Sequence, residues 1–364
     1  MVWEPRMSVF SNPSFSEHEL VAFHNHRQSG LRAIIAVHSS ALGPAVGGCR
    51  MYPYASEEDA LHDVLRLSRG MTHKSALAGL PFGGGKSIII GDPHKQKNRA
   101  LLEAMGDFVN SLGGRYITAE DVGTSVADIR TMARRTPYVA GLDDNEHGGD
   151  PSPSTAYGVF LGIRTAVRHR YGRDKLDGIG ISIQGLGHVG FKLARLLIED
   201  GATVYGADIN AANLERAAAE LGVRPVSSEE VLFLPVDVVA PCAMGAIWNR
   251  ESISRLRAGI VCGAANNQLA TPADGELLRR RGVLYCPDFL VNAGGIIEAH
   301  HQILRSGESD RLAHIGRIET TLAEVLRLSG ERQVSTESVA REMAEDILRG
   351  SSCATEGADR SLAA

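Results

Sequence analysis

Apolar and polar positions along the chain follow two periods. Short unbroken apolar runs such as Arg32–His38 (RAIIAVH) read as buried strands, while longer stretches repeat apolar residues at helical spacing. Ser56–Ala78 is predicted as a helix opened by the Ser56-x-x-Asp59 capping pattern, with Leu61, Val64, Leu65, Ser68 and Met71 on one face. Ser87–Ile90 and Tyr116–Thr118 read as further strands, and Ser125-x-x-Asp128 caps another helix. Between Leu142 and Pro153 the run LDDNEHGGDPSP interrupts both periods, so the first domain is taken as 1–147. Beyond it come helix Ser154–Tyr171, strand Gly180–Gln184, helix Val189–Glu199, strand Thr203–Ala207 and helix Ala211–Leu221, then strands near Val236–Ala240 and Gly259–Gly263. That alternation predicts a doubly wound parallel sheet over 148–334, and the fold class is two-domain α/β. Helix Thr336–Leu348 is expected to return to the first domain (335–350), and 351–364, rich in small and polar residues, to form a disordered tail.

Composition narrows the function classes. At about 150 residues per domain, 364 residues suit two domains without disulfide or metal staples. The formal charge is −5, and no basic block exceeds the Arg279–Arg281 triplet, which argues against nucleic acid as a partner. No apolar run approaches the roughly 18 residues a membrane span requires. Glu4, Glu17, His18, Glu19, His24, Asn25 and Arg27 leave no room for a signal-peptide apolar stretch, and a cytoplasmic protein is expected. Cys49, Cys242, Cys262, Cys286 and Cys353 are scattered without a CxxC pair, which predicts reduced thiols and no structural zinc.

Gly185-Leu186-Gly187-His188-Val189-Gly190 is a GxGxxG between a predicted strand and a predicted helix. Asp208, about 20 residues on at the end of the next strand, is placed to accept bonds from ribose hydroxyls. Gly185 allows the tight turn, Gly187 admits the pyrophosphate, and Gly190 lets the helix pack close while its N-terminus offers amide donors. A Rossmann-type NAD site follows, since Asp208 would repel a 2′-phosphate. His188 faces the cofactor side of the turn, where it would add charge below about pH 6.5; Val189 and Ile209 flank the same contacts.

In the first domain, GPAVGGCRMYPY and RGMTHKSALAGLPFGGGKSIIIG surround Lys74 and Lys86 with glycine and apolar residues. Gly85-Lys86-Ser87 ends like a P-loop, but the glycine required before the lysine is Leu80. The alternative is that Lys74 and Lys86 converge, each ammonium lowering the other's proton affinity toward the range of general acid/base catalysis. Asp121, in YITAEDVGT, ends a strand before a capped helix; alone it reads equally as a cap. His24-Asn25-His26 reads as a loop with polar side chains.

The chain resembles the Glu/Leu/Phe/Val amino-acid dehydrogenases, most of all the leucine, valine and phenylalanine members, from about Ala33 to Leu348. The matching segments are GPAVGGCRM, RGMTHKSALAGLPFGGGKS, YITAEDVGT, GDPSPSTAYGV, QGLGHVG, PCAMGAI, GAANNQL and PDFLVNAGG. The resemblance implies an active site in the cleft between an N-terminal substrate and oligomerisation domain and the NAD domain. It also implies reversible oxidative deamination of an L-amino acid to the 2-oxo acid and ammonia, in a homo-oligomer. By the same resemblance, Lys74 pairs with the substrate carboxylate, Lys86 is the catalytic lysine acting with a water, and Asp121 orients the amino group and shuttles its proton. Asn292 of NAGG holds the nicotinamide and substrate side. Thr155, Ala264 and Asn266 contact nicotinamide and ribose, and Pro241, Cys242 and Ala243 line the cofactor crevice. Loss of Lys74, Lys86 or Asp121 would mark a catalytically idle NAD-binding relative; all three are present.

Glutamate-specific relatives carry a lysine where this chain has Val46, beside Gly47, so glutamate is disfavoured here. Val46, Ala119, Ile315 and Ile318, the last two on the helix after NAGG, are expected to form an apolar wall that favours branched aliphatic substrates. Val46 is small, and an aromatic substrate such as phenylalanine or tryptophan is the alternative. After NAGG the chain departs from leucine-type relatives with Ile296-Ile297-Glu298-Ala299-His300-His301, where Glu298 and His301 share helical spacing; no metal site is expected.

Overall fold

The computed structural model of the chain describes residues 8–142, 150–243 and 245–362, with side chains up to 351. It contains two compact units, one formed by 1–149 with 345–364 and the other by 150–344. Most of the LDDNEHGGDPSP run lies outside the described residues.

The first unit runs β1 (Leu20–His26), β2 (Leu31–Ser39), β3 (Ala45–Tyr52), α1 (Glu57–Leu77), β4 (Gly83–Ile90), α2 (Arg99–Asn110), β5 (Tyr116–Glu120) and α3 (Val126–Met132). Its five strands lie in the order β1-β2-β4-β3-β5. β3 is parallel to β4 and β5, while β1 and β2 run antiparallel to their neighbours. Alternation along the strands gives the sheet two faces. Ala33, Ile35, Val37, Ala45, Cys49, Met51, Ile89 and Tyr116 join a core with α2 and α3. Ile34, Ala36 and Ile88 meet Ala60, Val64 and Leu65 of α1 on the other face.

β4 begins at Gly83, four residues before the predicted start. Gly84 is paired with both β2 and β3, and a Cβ on it would lie 2.1 Å from the Thr72 backbone nitrogen, so its smallness lets α1 press onto the sheet. His24 and His26 also lie on a strand rather than in the expected loop: they belong to edge strand β1, with His24 stacked on Phe108.

The second unit runs α4 (Ser152–Tyr171), β6 (Gly180–Gln184), α5 (His188–Glu199), β7 (Thr203–Ala207), α6 (Ala211–Leu221), β8 (Arg224–Pro225), β9 (Val238–Pro241), α7 (Arg250–Arg255), β10 (Ile260–Val261), α8 (Pro272–Arg280), β11 (Leu284–Tyr285), α9 (Asp288–Val291), α10 (Gly294–Leu304), α11 (Glu308–Arg332) and α12 (Thr336–Leu362). The six strands pair in parallel in the order β11-β10-β9-β6-β7-β8, the doubly wound arrangement. β10 is confined to Ile260–Val261, shorter than the predicted Gly259–Gly263.

The start of α12 is tied to this unit by the Thr336 hydroxyl, which donates to the Tyr285 carbonyl at 2.6 Å; the return to the first unit begins at 345, later than predicted. The tail expected to be disordered instead continues α12 to Leu362, since no proline interrupts its Ser, Ala, Glu and Arg residues. Among the described residues no helix is long and apolar enough to cross a membrane.

Candidate active site

In the first unit the reactive side chains gather on the α1 face of the sheet. Because Ala45, Cys49 and Met51 of β3 turn toward α2, Val46, Gly48 and Arg50 turn toward α1. By the same alternation Lys86 of β4 and Ala119 of β5 share that face. Asp121 follows directly after β5, its Cβ standing 2.7 Å from where a Cβ on Gly48 would be. Gly47 lies between Val46 and Gly48, and its carbonyl accepts from the buried Tyr116 hydroxyl at 2.7 Å.

Lys86 Nζ meets Asp121 Oδ2 at 2.9 Å, and both residues are shielded from solvent. The same oxygen accepts from Arg50 Nε at 3.0 Å. Burial pushes the Asp121 carboxyl up, but Lys86 and Arg50 outweigh it and hold the group at about 2, so it is ionised. Arg50 also donates to Asp63 Oδ2 at 2.9 Å, and the Tyr54 hydroxyl donates to that oxygen at 2.6 Å. Lys74 is buried in the last turn of α1.

The direct partner of Lys86 is a carboxylate, and Arg50 bonds the same carboxylate oxygen. Arg50, Asp63 and Tyr54 were missed because nothing local links them. The available signal is an arginine inside a glycine and apolar strand, where a buried guanidinium requires a carboxylate partner.

In the second unit the predicted cofactor residues lie at the carboxyl ends of the parallel strands, where ligands of such sheets bind. Gly185 takes φ +91°, and a Cβ on Gly190 would stand 1.9 Å from the Gly185 carbonyl oxygen, so the turn admits only glycine at both positions. Gly187 is the N-cap of α5, with His188 as its first residue and Val189 next; His188 is exposed, 4.0 Å from Asp150. Asp208 Oδ2 accepts from the Leu186 amide at 2.7 Å, which binds the carboxylate to the glycine turn. Ile209 beside it is almost wholly exposed.

The segment after β9 closes onto this turn. Cys242 N donates to the Gln184 carbonyl at 2.8 Å, and Ala243 Cβ stands 2.8 Å from a Cβ built on Gly185. Burial pushes the Cys242 thiol up to about 12, so it is a neutral packing group. The Pro241 carbonyl accepts from Ala265 N at 2.9 Å. Asn292 Nδ2 donates to the Ala264 carbonyl at 3.0 Å and to Asn266 Oδ1 at 2.9 Å. Thr155 Oγ1 donates to the Pro151 carbonyl and lies 2.8 Å from a Cβ built on Gly295, beside NAGG.

The fit to a dinucleotide rests on groups left ready for one. Asn292 Oδ1 and Gln184 Oε1 are buried acceptors without a protein partner, and the space at Gly187 is open. A carboxamide N–H is a donor such an acceptor can take, and the open space at Gly187, at the N-terminus of α5, leaves room for a pyrophosphate.

Ile315 and Ile318 lie on α11, one helix further on than expected, and are buried in the second unit, where Ile318 Cδ1 would stand 2.8 Å from a Cβ on Gly158 of α4. Glu298 and His301 have separate partners: Glu298 accepts from Ser154 Oγ at 2.5 Å and pairs with Arg311 at 2.9 Å, while His301 bonds Ser306 and His314.

Comparison with known proteins bears on the whole chain. Residues 18–138 match the family described as "Glu/Leu/Phe/Val dehydrogenase, dimerisation domain", and 208–312 match "Glutamate/Leucine/Phenylalanine/Valine dehydrogenase". The leucine dehydrogenase of Geobacillus stearothermophilus is 42% identical over 342 residues, covering 93% of each chain. The phenylalanine dehydrogenase of Caldalkalibacillus thermarum is 43% identical over 349 residues, covering 94% of each. The crystal structure of L-tryptophan dehydrogenase from Nostoc punctiforme superposes with a TM-score of 0.77 at 41% identity, covering 92% of this chain and 96% of that one. The chain belongs to the glutamate/leucine/phenylalanine/valine dehydrogenase family and is an NAD-dependent amino-acid dehydrogenase.

Proposed function

We propose that this dehydrogenase catalyses reversible oxidative deamination of a branched aliphatic L-amino acid, in the leucine and valine range, to the 2-oxo acid and ammonia. The observation that carries the reading is the buried Lys86–Asp121 pair on a sheet face whose neighbouring side chains, Val46 and Ala119, are hydrocarbon. A side-chain carboxylate set against Val46 and Ala119 would lose water without gaining a partner there, at a cost of several kcal/mol.

In this reading Lys74 holds the substrate α-carboxylate. Asp121, ionised, accepts a hydrogen bond from the substrate amino group and orients it. Bound NAD supplies the acceptor for the hydride leaving Cα. Lys86, once neutral, takes a proton from the water that adds to the resulting iminium carbon, and Asp121 carries a proton to the departing amine. In the second domain the Gly185–Gly190 turn and the first amides of α5 hold the pyrophosphate, and Asp208 holds the ribose. Thr155, Ala264, Asn266 and Asn292 hold the nicotinamide end, with Asn292 Oδ1 as the available acceptor.

An aromatic substrate is the second reading. Val46 and Ala119 are small residues on the face that carries Lys86 and Asp121. The leucine, phenylalanine and tryptophan dehydrogenases also match this chain at nearly equal identity.

The deciding experiment measures NADH production by purified protein with leucine, valine, isoleucine, phenylalanine, tryptophan and glutamate, with NADP as control. Preference for the aliphatic members is expected. Preference for phenylalanine or tryptophan transfers the assignment to the second reading, and silence across the panel in protein that binds NAD points to an idle relative or an unusual substrate. We place the enzyme in the cytoplasm as a homo-oligomer. The match to a dimerisation domain and the exposed Phe23 on edge strand β1 support association, and a monomer by light scattering at micromolar concentration would refute it.

A further inference from the structure

We propose that Arg50 is a positioning residue for the Lys86–Asp121 pair, supplying the fixed positive charge that lets Lys86 release its proton while Asp121 stays ionised. The inference rests on the reading of Lys86 as the base. Both cations bond one oxygen, Asp121 Oδ2, Lys86 Nζ at 2.9 Å and Arg50 Nε at 3.0 Å. Arg50 is anchored in turn by Asp63 Oδ2 at 2.9 Å, an oxygen that also accepts from the Tyr54 hydroxyl at 2.6 Å. The line Tyr54, Asp63, Arg50, Asp121, Lys86 therefore joins the segment after β3, helix α1, β3, the end of β5 and β4 into one hydrogen-bonded set.

A carboxylate alone beside Lys86 would hold the lysine charged, the opposite of what a base requires. A guanidinium cannot lose its proton at any working pH, so it offsets the carboxylate's field permanently. With Lys86 charged, the two carboxylates and two cations balance. When Lys86 is neutral, one negative charge remains, spread over two carboxylates that share Arg50. Burial and Asp63 hold the Tyr54 hydroxyl protonated, so it serves Asp63 as a donor and adds no charge.

The other titratable groups near this face are few. On the opposite face lie Cys49 of β3, whose thiol burial pushes up to about 12, and from β5 Glu120 and Tyr116, the last held protonated by burial. His73 and Lys74 close α1, and Asp128 of α3 is paired with Lys97 at 2.8 Å. Arg50 bonds Asp121 beside Lys86.

The test is the pH profile of kcat/KM for oxidative deamination in wild type, Arg50→Gln, Arg50→Lys and Asp63→Asn, with a parallel titration of Lys86 acylation by acetic anhydride read by peptide mass spectrometry. The two cations lie within about 6 Å of each other, so Arg50→Gln should move the acid limb and the acylation midpoint up by about one to two pH units. Activity near neutrality should then fall about ten- to a hundredfold and recover in alkali. Arg50→Lys should return the limb to within about half a unit of wild type, and Asp63→Asn, which removes a negative charge from the set, should move it down. A loss in Arg50→Gln that is equal at every pH, with an unmoved acylation midpoint, would reduce Arg50 to a structural role. Should Arg50→Gln not fold, the direction in Asp63→Asn decides: an unchanged or raised limb overturns the proposal. Absence of turnover in wild type would sink the base reading alone, because the acylation titration still measures whether Arg50 sets the proton affinity of Lys86.

Discussion

Replacing Gly48 with alanine perturbs the active site without touching an ionisable group. A Cβ there would lie 2.6 Å from the Glu120 carbonyl oxygen and 2.7 Å from Asp121 Cβ. Ordinary contact begins near 3.4 Å, so Asp121 must retreat by about 0.7 Å. The backbone has little freedom to yield instead, because Gly48 pairs with Ala119 inside the β3–β5 ladder. A displacement of that size stretches bonds to Lys86 and Arg50 that start at 2.9 and 3.0 Å to the edge of hydrogen bonding. Misplacing a catalytic group by about 1 Å costs about a hundredfold in rate, so kcat should fall roughly ten- to a hundredfold. NAD affinity should not change, since every residue assigned to the dinucleotide belongs to the other unit. Overpacking of this kind also costs about 1–3 kcal/mol of stability, so turnover and NAD titration are measured well below the melting temperature of the variant. Wild-type kcat in folded Gly48→Ala protein would refute the premise that Asp121 must stay bonded to Lys86.

Two further outcomes follow from the same close packing and burial. Gly190→Ala, whose Cβ would fall 1.9 Å from the Gly185 carbonyl oxygen, should abolish NAD binding by calorimetry while leaving the fold of the first unit intact by circular dichroism; binding at wild-type strength would show that the turn is not the pyrophosphate site. Acid should weaken the first unit well before its carboxylates protonate. Burial holds His18 at about 4, against a bond to the Leu65 carbonyl that works the other way, and holds His38 at about 3, whereas both titrate at 6.5 when unfolded. Below 6.5 the unfolded chain therefore binds more protons, and stability that is complete above that pH should fall by up to about 1.4 kcal/mol per pH unit for each histidine. A urea midpoint that stays flat from neutrality to pH 4 would contradict this.

The parts of the molecule legible in the sequence are those whose physical demand is local. Gly185, Gly187 and Gly190 with Asp208 could be read directly, because a tight turn, a close helix and an acidic strand end leave their marks within one βαβ unit. The capped starts of α1 and α3 were equally legible: Ser56 and Ser125 each accept the amide of the acidic residue three positions on. β3 and the first half of β4 were not legible, since glycine runs ordinarily signal turns. Here they are strand because α1 and the neighbouring strands approach too closely for side chains.

The same reasoning explains why the sequence pointed to Lys86 but not to the groups bonded around Asp121. Lys86 announced itself by its flanks, but the groups that bear on it come from β3, α1 and the end of β5, and Arg50 reaches Asp121 across 71 residues of chain. Only the order β4-β3-β5 brings them to one face. Lys74, close in sequence and alike in charge, was the natural partner to infer from one dimension. A buried ammonium, however, is held in place most readily by an anion, and Asp121 fills that need. Asp121 in turn requires a second cation if Lys86 is to lose its proton, and the sheet provides one from a strand that periodicity alone did not find.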